Sequence, residues 1–234
     1  QIIKYMQENN LLQKDTTVID IGGGAGRYAI PMAEVVEKVT ITDISSQMLK
    51  YAQKNAQNAG LDNLDYVRLD IKTADIEKMG WQGKYDLAFA VMCPAVRNEA
   101  GLDKMTALSK NNCCIGQFVE RINSVTARIK EALDIPNRHD PHNDREILYA
   151  FFNILWLKGF NPRIAYFGAE SEREFTVDEI IAEYSKEYNE QAREKDLDFA
   201  EIIAGFAVNG KINLYKKRTL ALMSWQVSTN YSES

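Results

Sequence analysis

Residues 16–30 read TTVIDIGGGAGRYAI, and this stretch decides the fold. An apolar, β-branched run that carries one acid, Asp20, predicts a buried strand. The run breaks into glycines at positions 22, 23, 24 and 26, after which a helical pattern begins. Glycines let a ligand lie against the backbone, and a helix N-terminus offers free N–H groups to anionic groups. The stretch therefore predicts a strand, a ligand-binding loop and a helix.

The spacing of the glycines separates two classes of ligand. Dinucleotide-binding enzymes use Gly-x-Gly-x-x-Gly, and reading from Gly22 puts Arg27 where the last glycine belongs. Reading from Gly24 puts Ala29 there, which is permitted, so an NAD-binding register stays open on the glycines alone. The spacing Asp-x-Gly-x-Gly-x-Gly from Asp20 holds without exception. It resembles motif I of the class I S-adenosylmethionine (SAM) dependent methyltransferases.

Three further segments resemble the same family. Residues 38–56 read as a second strand that ends in Asp43, followed by a helix capped by Ser45, and are similar to motif II. Residues 64–75 read as a third strand with Asp70 at its tip, and residues 84–96 as a buried strand similar to motif IV. The four segments stand in the family's order, and the resemblance covers residues 1–120 well and residues 121–210 weakly.

The resemblance implies which residues hold SAM. The glycine loop would hold the methionyl part, Asp43 the ribose hydroxyls, and Asp70 the adenine amino group. Asp20 would stiffen the loop or contact the methionyl amine indirectly. The predicted cofactor-binding residues are Asp20, Gly22, Gly23, Gly24, Gly26, Asp43, Ile44, Met48, Asp70, Ile71 and Val91.

Alternating strands and helices predict an α/β fold. The resemblance implies a doubly wound, seven-stranded, mostly parallel sheet of order 3-2-1-4-5-7-6 in a single domain over residues 1–234. Segments 121–145 and 171–209 are predicted helical insertions that cap the acceptor site. Residues 146–160 form a helical pattern that is apolar nearly all round, which predicts a buried helix. Thr176 and Glu179 have the spacing of a capping box.

The methyl acceptor is predicted to lie beyond the fourth strand, where residues 91–96 read VMCPAV. The Asn/Asp-Pro-Pro-Tyr signature of methylation on base and glutamine amino groups is absent there. The candidate substrate residues are Tyr28, Cys93 and Arg97. No catalytic residue is assigned, and His139 and His142 are the candidates for a general base, with a metal site or a solvated loop as alternatives.

Composition narrows the function further. The net charge is −5 without a long basic run, which disfavours nucleic-acid binding, and no apolar run approaches the ~20 residues of a membrane span. The three cysteines lack zinc-site spacing and fit free thiols in the cytosol. The pattern resembles bacterial enzymes that methylate small molecules, so we expect a cytoplasmic, metal-free, SAM-dependent methyltransferase, either monomeric or homodimeric. The alternatives are an RNA or protein methyltransferase, a non-catalytic SAM-binding protein and an NAD-dependent oxidoreductase.

Overall fold

A computed structural model of the chain describes residues 1–136, 140 and 143–227. Within these residues no helix has both the length and the apolar character needed to cross a membrane. The elements in chain order are α1 (Ile2–Glu8), β1 (Thr17–Ile21), α2 (Ala29–Ala33), β2 (Lys38–Asp43), α3 (Ser46–Asn58), β3 (Leu64–Arg68), β4 (Tyr85–Val91), a 3-10 turn (Pro94–Val96), α4 (Glu99–Leu108), β5 (Ser109–Asn123), α5 (Ser124–Ala132), α6 (Arg145–Leu157), β6 (Arg163–Thr176), α7 (Val177–Arg193), α8 (Phe199–Ala204) and β7 (Lys211–Gln226).

The strands form one seven-stranded sheet in the order β3-β2-β1-β4-β5-β7-β6, which confirms the predicted order. β1 pairs in parallel with β2 and β4, β2 with β3, and β4 with β5. Because these strands run in the same direction, their carboxyl ends meet at one edge of the sheet, where ligands bind in open α/β sheets. The residues that follow β1, β2, β3 and β4 are therefore brought together along that edge.

The central strands are almost continuously apolar because helices cover both faces of a parallel sheet. β4 is buried at every position except Asp86. The Asp86 carboxylate accepts hydrogen bonds from the backbone N–H and the hydroxyl of Thr17, at 2.9 Å and 2.6 Å, and from the Asn111 side chain at 2.9 Å. One half-buried acid thus joins the amino ends of β1, β4 and β5, at the edge opposite the glycine loop.

The chain divides into two compact units. The first comprises Gln1–Gln117, Arg145–Phe167 and the chain from Leu220, and the second comprises the described residues of Phe118–Asp144 and Gly168–Thr219. The second unit has its own apolar core, formed by residues of α5, α7, α8 and β7. Nearly all of the predicted cap segments, 121–145 and 171–209, belong to this unit; that they cover an acceptor site remains a prediction.

The capping box before α7 is present. The Thr176 hydroxyl accepts the backbone N–H of Glu179 at 3.3 Å, and the Glu179 carboxylate accepts the backbone N–H of Thr176 at 2.8 Å. Two N–H groups that the helix cannot satisfy internally are therefore paired, and α7 begins at the residue that the sequence predicts.

The prediction that residues 146–160 form a fully buried helix is wrong. α6 buries Leu148, Phe151 and Leu155 on one face. Its opposite face exposes 72% of Tyr149, 58% of Trp156 and 84% of Leu157 to solvent. The apolar composition of a helix shows how much surface it could bury, whereas the number of neighbouring elements decides how much is covered. α6 is covered on one face only.

Candidate functional site

The glycine loop between β1 and α2 is packed on one side and open on the other. Gly22 and Gly24 have φ angles of +69° and +56°, a region that favours glycine. A Cβ atom on Gly22 would lie 2.7 Å from the Sγ atom of Cys93, and one on Gly23 would lie 2.6 Å from Oδ2 of Asp20. A Cβ atom on Gly24 would meet no described atom within 4 Å. The backbone at Gly24 is therefore accessible to a ligand, while its neighbours fix the loop.

The helix that follows this loop differs from the prediction. α2 has five residues and begins at Ala29 rather than directly after the glycines. Turns fill the interval, including a hydrogen bond from the Gly26 N–H to the Gly23 carbonyl at 3.0 Å. Glycines with positive φ cannot continue a right-handed helix. The Gly23 and Gly24 N–H groups are also bonded within the protein, to the Thr42 carbonyl and the Asp43 carboxylate. The loop therefore offers a ligand its open backbone at Gly24 and not an extended helix N-terminus.

Asp43 connects the glycine loop to the start of α3. One oxygen of its carboxylate accepts the backbone N–H of Gly24 at 3.1 Å, and the other accepts the backbone N–H of Ser45 at 2.8 Å. The Ser45 hydroxyl then accepts the N–H of Met48 at 3.3 Å and caps α3, as predicted. A carboxylate oxygen has two lone pairs, so each oxygen of Asp43 retains capacity for a ligand hydroxyl.

Apolar side chains lie beside Asp43 on the open side. Ile44 is 64% exposed and Met48 is 44% exposed, so both are available to cover an apolar ligand surface. Ile71, after β3, and Val91, at the end of β4, are instead buried in the protein. Of the apolar residues predicted to hold a cofactor, only Ile44, directly after β2, and Met48, on α3, offer substantial free surface.

Asp20 is an acid enclosed in the interior. Its side chain is buried, and Oδ2 has no hydrogen-bond partner in the described part of the chain. Burial, and to a lesser extent the nearby charge of Asp43, raise the pKa of Asp20 to about 7. An unpaired buried carboxyl is costly, and a positively charged ligand group placed near it would reduce that cost.

A family comparison agrees with this arrangement. Residues 18–112, which run from β1 into β5, match a family model described as a methyltransferase domain. The match covers less than half of the chain and likens residues 18–112 to a methyltransferase domain.

The curated relatives match this chain only over short stretches. The chain is 35% identical over 69 residues to the 23S rRNA (uracil(1939)-C(5))-methyltransferase RlmD of Shewanella sediminis, which is 30% of this chain and 15% of that protein. It is 29% identical over 69 residues to the tRNA/tmRNA (uracil-C(5))-methyltransferase of Nitratiruptor, covering 29% of this chain and 19% of the relative. The chain thus spans less than a fifth of the length of these two proteins.

Solved structures match over nearly the whole chain. A protein from Bacillus halodurans has a TM-score of 0.60 at 14% identity, covering 97% of this chain and 99% of that one. The magnesium protoporphyrin IX methyltransferase of Synechocystis, solved with bound S-adenosylhomocysteine (SAH), has a TM-score of 0.53 at 16% identity, covering 95% and 79%. At these identities the likeness shows the fold alone.

The predicted substrate residues lie around the ends of β1 and β4. The ring of Tyr28 packs against Phe89 at 5.5 Å between centroids, and burial raises the pKa of its hydroxyl. Cys93 is buried against the glycine loop, and burial raises the pKa of its thiol, although the N–H groups that follow it act in the opposite direction. Arg97 follows the 3-10 turn and is half-buried. The roles of Tyr28, Cys93 and Arg97 remain predictions.

The histidine candidates cannot be placed. His139 and His142 lie outside the residues that the structure describes. Among residues 1–136, 140 and 143–227, no group of three or more His, Cys, Asp or Glu side chains could hold a metal ion.

Two further residues near the site, Met92 and Lys104, are not predicted from the sequence. Met92, directly after β4, has a φ angle of +56°, which is uncommon for a residue with a side chain, and its N–H donates to the Gly116 carbonyl at 2.9 Å. Lys104 on α4 donates hydrogen bonds to the turn after β3. Neither residue has a local sequence signal, because both conformations depend on contacts between distant segments.

Proposed function

We propose that the chain binds SAM at the carboxyl ends of β1, β2 and β3 and transfers its methyl group to a small-molecule acceptor. One observation carries the proposal: the open backbone at Gly24 is held by the carboxylate of Asp43, and the neighbouring Gly23 lies against Oδ2 of Asp20, which has no hydrogen-bond partner among the described residues. These groups suit a ligand that combines hydroxyl groups with positive charge, as SAM does.

Each residue has a distinct part in holding the donor. The open backbone at Gly24 lies against the methionyl part of SAM, and Asp20 offsets the positive charge of the methionyl end. Asp43 accepts hydrogen bonds from the ribose hydroxyls with the lone pairs that Gly24 and Ser45 leave unused. Asp70 accepts a hydrogen bond from the adenine amino group, the buried Ile71 anchors the turn that carries Asp70, and the exposed side chain of Ile44 covers the ring.

Bound SAM supplies a methyl group on a positively charged sulfur, which an acceptor atom attacks in line with the carbon–sulfur bond. The protein contributes mainly by positioning, which can supply a large part of the rate. Residues 92–96, Met-Cys-Pro-Ala-Val, contain no carboxylate or imidazole. The raised pKa of the Cys93 thiol also makes it a poor base near neutral pH. This segment therefore supplies no general base, and His139 and His142 stay the candidates for one where the acceptor's nucleophile needs it.

RNA is the second candidate acceptor, because the two curated relatives named above methylate RNA. The charges of the described chain favour a small molecule instead. Lysines of β7 that could contact phosphates form ion pairs within 3.2 Å: Lys211 with Glu174, Lys216 with Glu183, and Lys217 with Glu120. Their positive charge is offset before any RNA arrives.

Calorimetry tests the binding step. The parent protein should bind sinefungin and SAH and should not bind NAD. Asp43→Ala should weaken binding by about 1–3 kcal/mol, because ribose hydroxyls and loop N–H groups lose their acceptor. Asp65→Ala is the matched control, since Asp65 is an exposed acid on β3 that pairs with Lys38 at 2.8 Å. Absence of heat with millimolar sinefungin, or equal effects of both substitutions, would contradict the assignment.

A second assay identifies the acceptor class. Release of SAH from SAM is measured with a metabolite extract and, separately, with total RNA. Turnover that requires the metabolite fraction supports a small-molecule acceptor. Turnover that requires RNA and is abolished by ribonuclease would show instead that RNA is the acceptor. Binding of SAM without turnover in either fraction would indicate a non-catalytic SAM-binding protein.

A further inference from the structure

The turn after β3 is folded around Asp70. The carbonyl of Asp70 accepts the N–H groups of Thr73 at 3.2 Å and Ala74 at 3.0 Å, and its Oδ1 atom accepts the N–H of Lys72 at 3.0 Å. This local bonding gives the turn a helical curvature. As at the end of any helix, the carbonyls that follow are left without partners inside the turn.

Lys104, on the helix α4, satisfies those carbonyls. Its Nζ atom donates to the carbonyls of Ile71 at 2.8 Å, Lys72 at 2.7 Å and Ala74 at 2.9 Å. A lysine ammonium has three N–H donors, so all of them are used by this one turn. Lys104 is therefore committed to the turn and is not a free surface cation.

We infer that Lys104 is a positioning residue that sets the selectivity of the site for adenine. The inference rests on the proposed function, in which Asp70 binds the adenine of SAM. Lys104 does not touch that ring; it acts through the backbone that carries Asp70.

Physical reasoning supports a role in selectivity. Ile71 is 3% exposed and anchors the turn to the core, whereas Asp70 is exposed and depends on the backbone for its position. An Asp carboxylate accepts a hydrogen bond from the amino group of adenine and is repelled by the carbonyl oxygen of hypoxanthine. That discrimination requires a carboxylate held in place, and a turn fixes side chains less firmly than a strand does unless contacts support it.

The test compares two ligands and two substitutions. Dissociation constants are measured for SAH and for S-inosylhomocysteine, which carries hypoxanthine in place of adenine. The parent should prefer SAH. Lys104→Met keeps the length of the side chain and removes its donors. It should weaken SAH binding about tenfold, by analogy with the loss of supporting contacts around metal ligands. S-Inosylhomocysteine binding should change little, so the preference for adenine should shrink.

Lys158→Met is the matched control. Lys158 also binds α4, but its ammonium pairs with the carboxylates of Glu99 at 3.0 Å and Asp103 at 2.6 Å instead of the carbonyls of the turn. We expect this variant to keep the affinities of the parent for both ligands. Equal weakening of both ligands by Lys104→Met would show a structural role only and would overturn the inference, as would an unchanged preference for SAH.

Two other outcomes are also decisive. If Lys104→Met does not fold, Lys104→Arg replaces it, because a planar guanidinium cannot direct three donors at carbonyls that converge on one point. This variant should show an intermediate preference for adenine, and a preference equal to that of the parent would overturn the inference. If the parent binds neither ligand, the proposed function itself fails, and that result is distinct from failure of the inference.

Discussion

Raising the pH from 5 to 8 should destabilise the ligand-free protein through a single carboxyl, that of Asp20. The pKa of this buried group is about 7 in the folded chain, because burial and then the charge of Asp43 disfavour its ionised form. The unfolded chain loses the same proton near pH 3.9. Throughout the interval unfolding therefore releases a proton, and rising pH favours the unfolded state.

The size of the effect follows from the two pKa values. Below about pH 4 both states hold the proton and Asp20 costs nothing in stability. The proton linkage relation then gives a loss of about 2–3 kcal/mol in the free energy of unfolding between pH 5 and pH 8. Above about pH 7 the folded chain also releases its proton, so the curve flattens.

Urea unfolding followed by tryptophan fluorescence at pH 5, 6, 7 and 8 measures this effect. Asp20→Asn keeps the shape of the side chain but does not titrate. The difference in the free energy of unfolding between the parent and this variant should therefore change with pH by the amount given above. Asp65→Asn is a control on an exposed acid and should follow the parent. Parallel pH profiles for the parent and Asp20→Asn would refute the reasoning, since the folded carboxyl would then titrate as it does in the unfolded chain.

Two further substitutions test the loop and the second unit. Gly24→Val should abolish sinefungin binding in calorimetry, because the new side chain enters the open space at the loop. Gly80→Val is the control: Gly80 also has a positive φ and no atom within 4 Å of a new Cβ, so this variant carries the same strain of about 1–2 kcal/mol and should leave binding intact. Retained binding in the Gly24 variant would show that the loop is only a turn. Thr176→Ala should lower the free energy of unfolding by about 1 kcal/mol through loss of the cap on α7, and an unchanged urea midpoint would contradict the capping role.

The central sheet was predictable because its signals are local. Strands such as β1 and β4 are apolar runs bounded by glycines or acids, and their alternation with helices implies parallel pairing. The strand order came from the resemblance to a family, not from periodicity. The length of β6 could not be predicted, since residues 169–176 read AESEREFT and lack apolar alternation. Polar pairs to β7 support that part instead, such as Asn213 with Glu172 at 2.6 Å.

The candidate site likewise has residues that the sequence predicts and residues that it does not. Gly24 and Asp43 could be selected from the sequence because each stands at the end of a predicted strand, where parallel topology brings such positions together. The unpaired state of Asp20 could not, because it depends on which side chains surround the loop. The three hydrogen bonds from Lys104 join segments about thirty residues apart, and no pattern within either segment records them.

The charges around the loop also favour SAM over NAD, two ligands that the glycine spacing alone does not distinguish. A dinucleotide places a doubly charged pyrophosphate against the first loop, where a helix N-terminus offsets its charge. Here α2 has only five residues, and two carboxyls, those of Asp20 and Asp43, lie next to the loop. A pyrophosphate would add negative charge to a site that already holds a proton on Asp20 up to about pH 7. A sulfonium and an ammonium group reduce that repulsion, so the same residues that destabilise the free loop favour a positively charged donor.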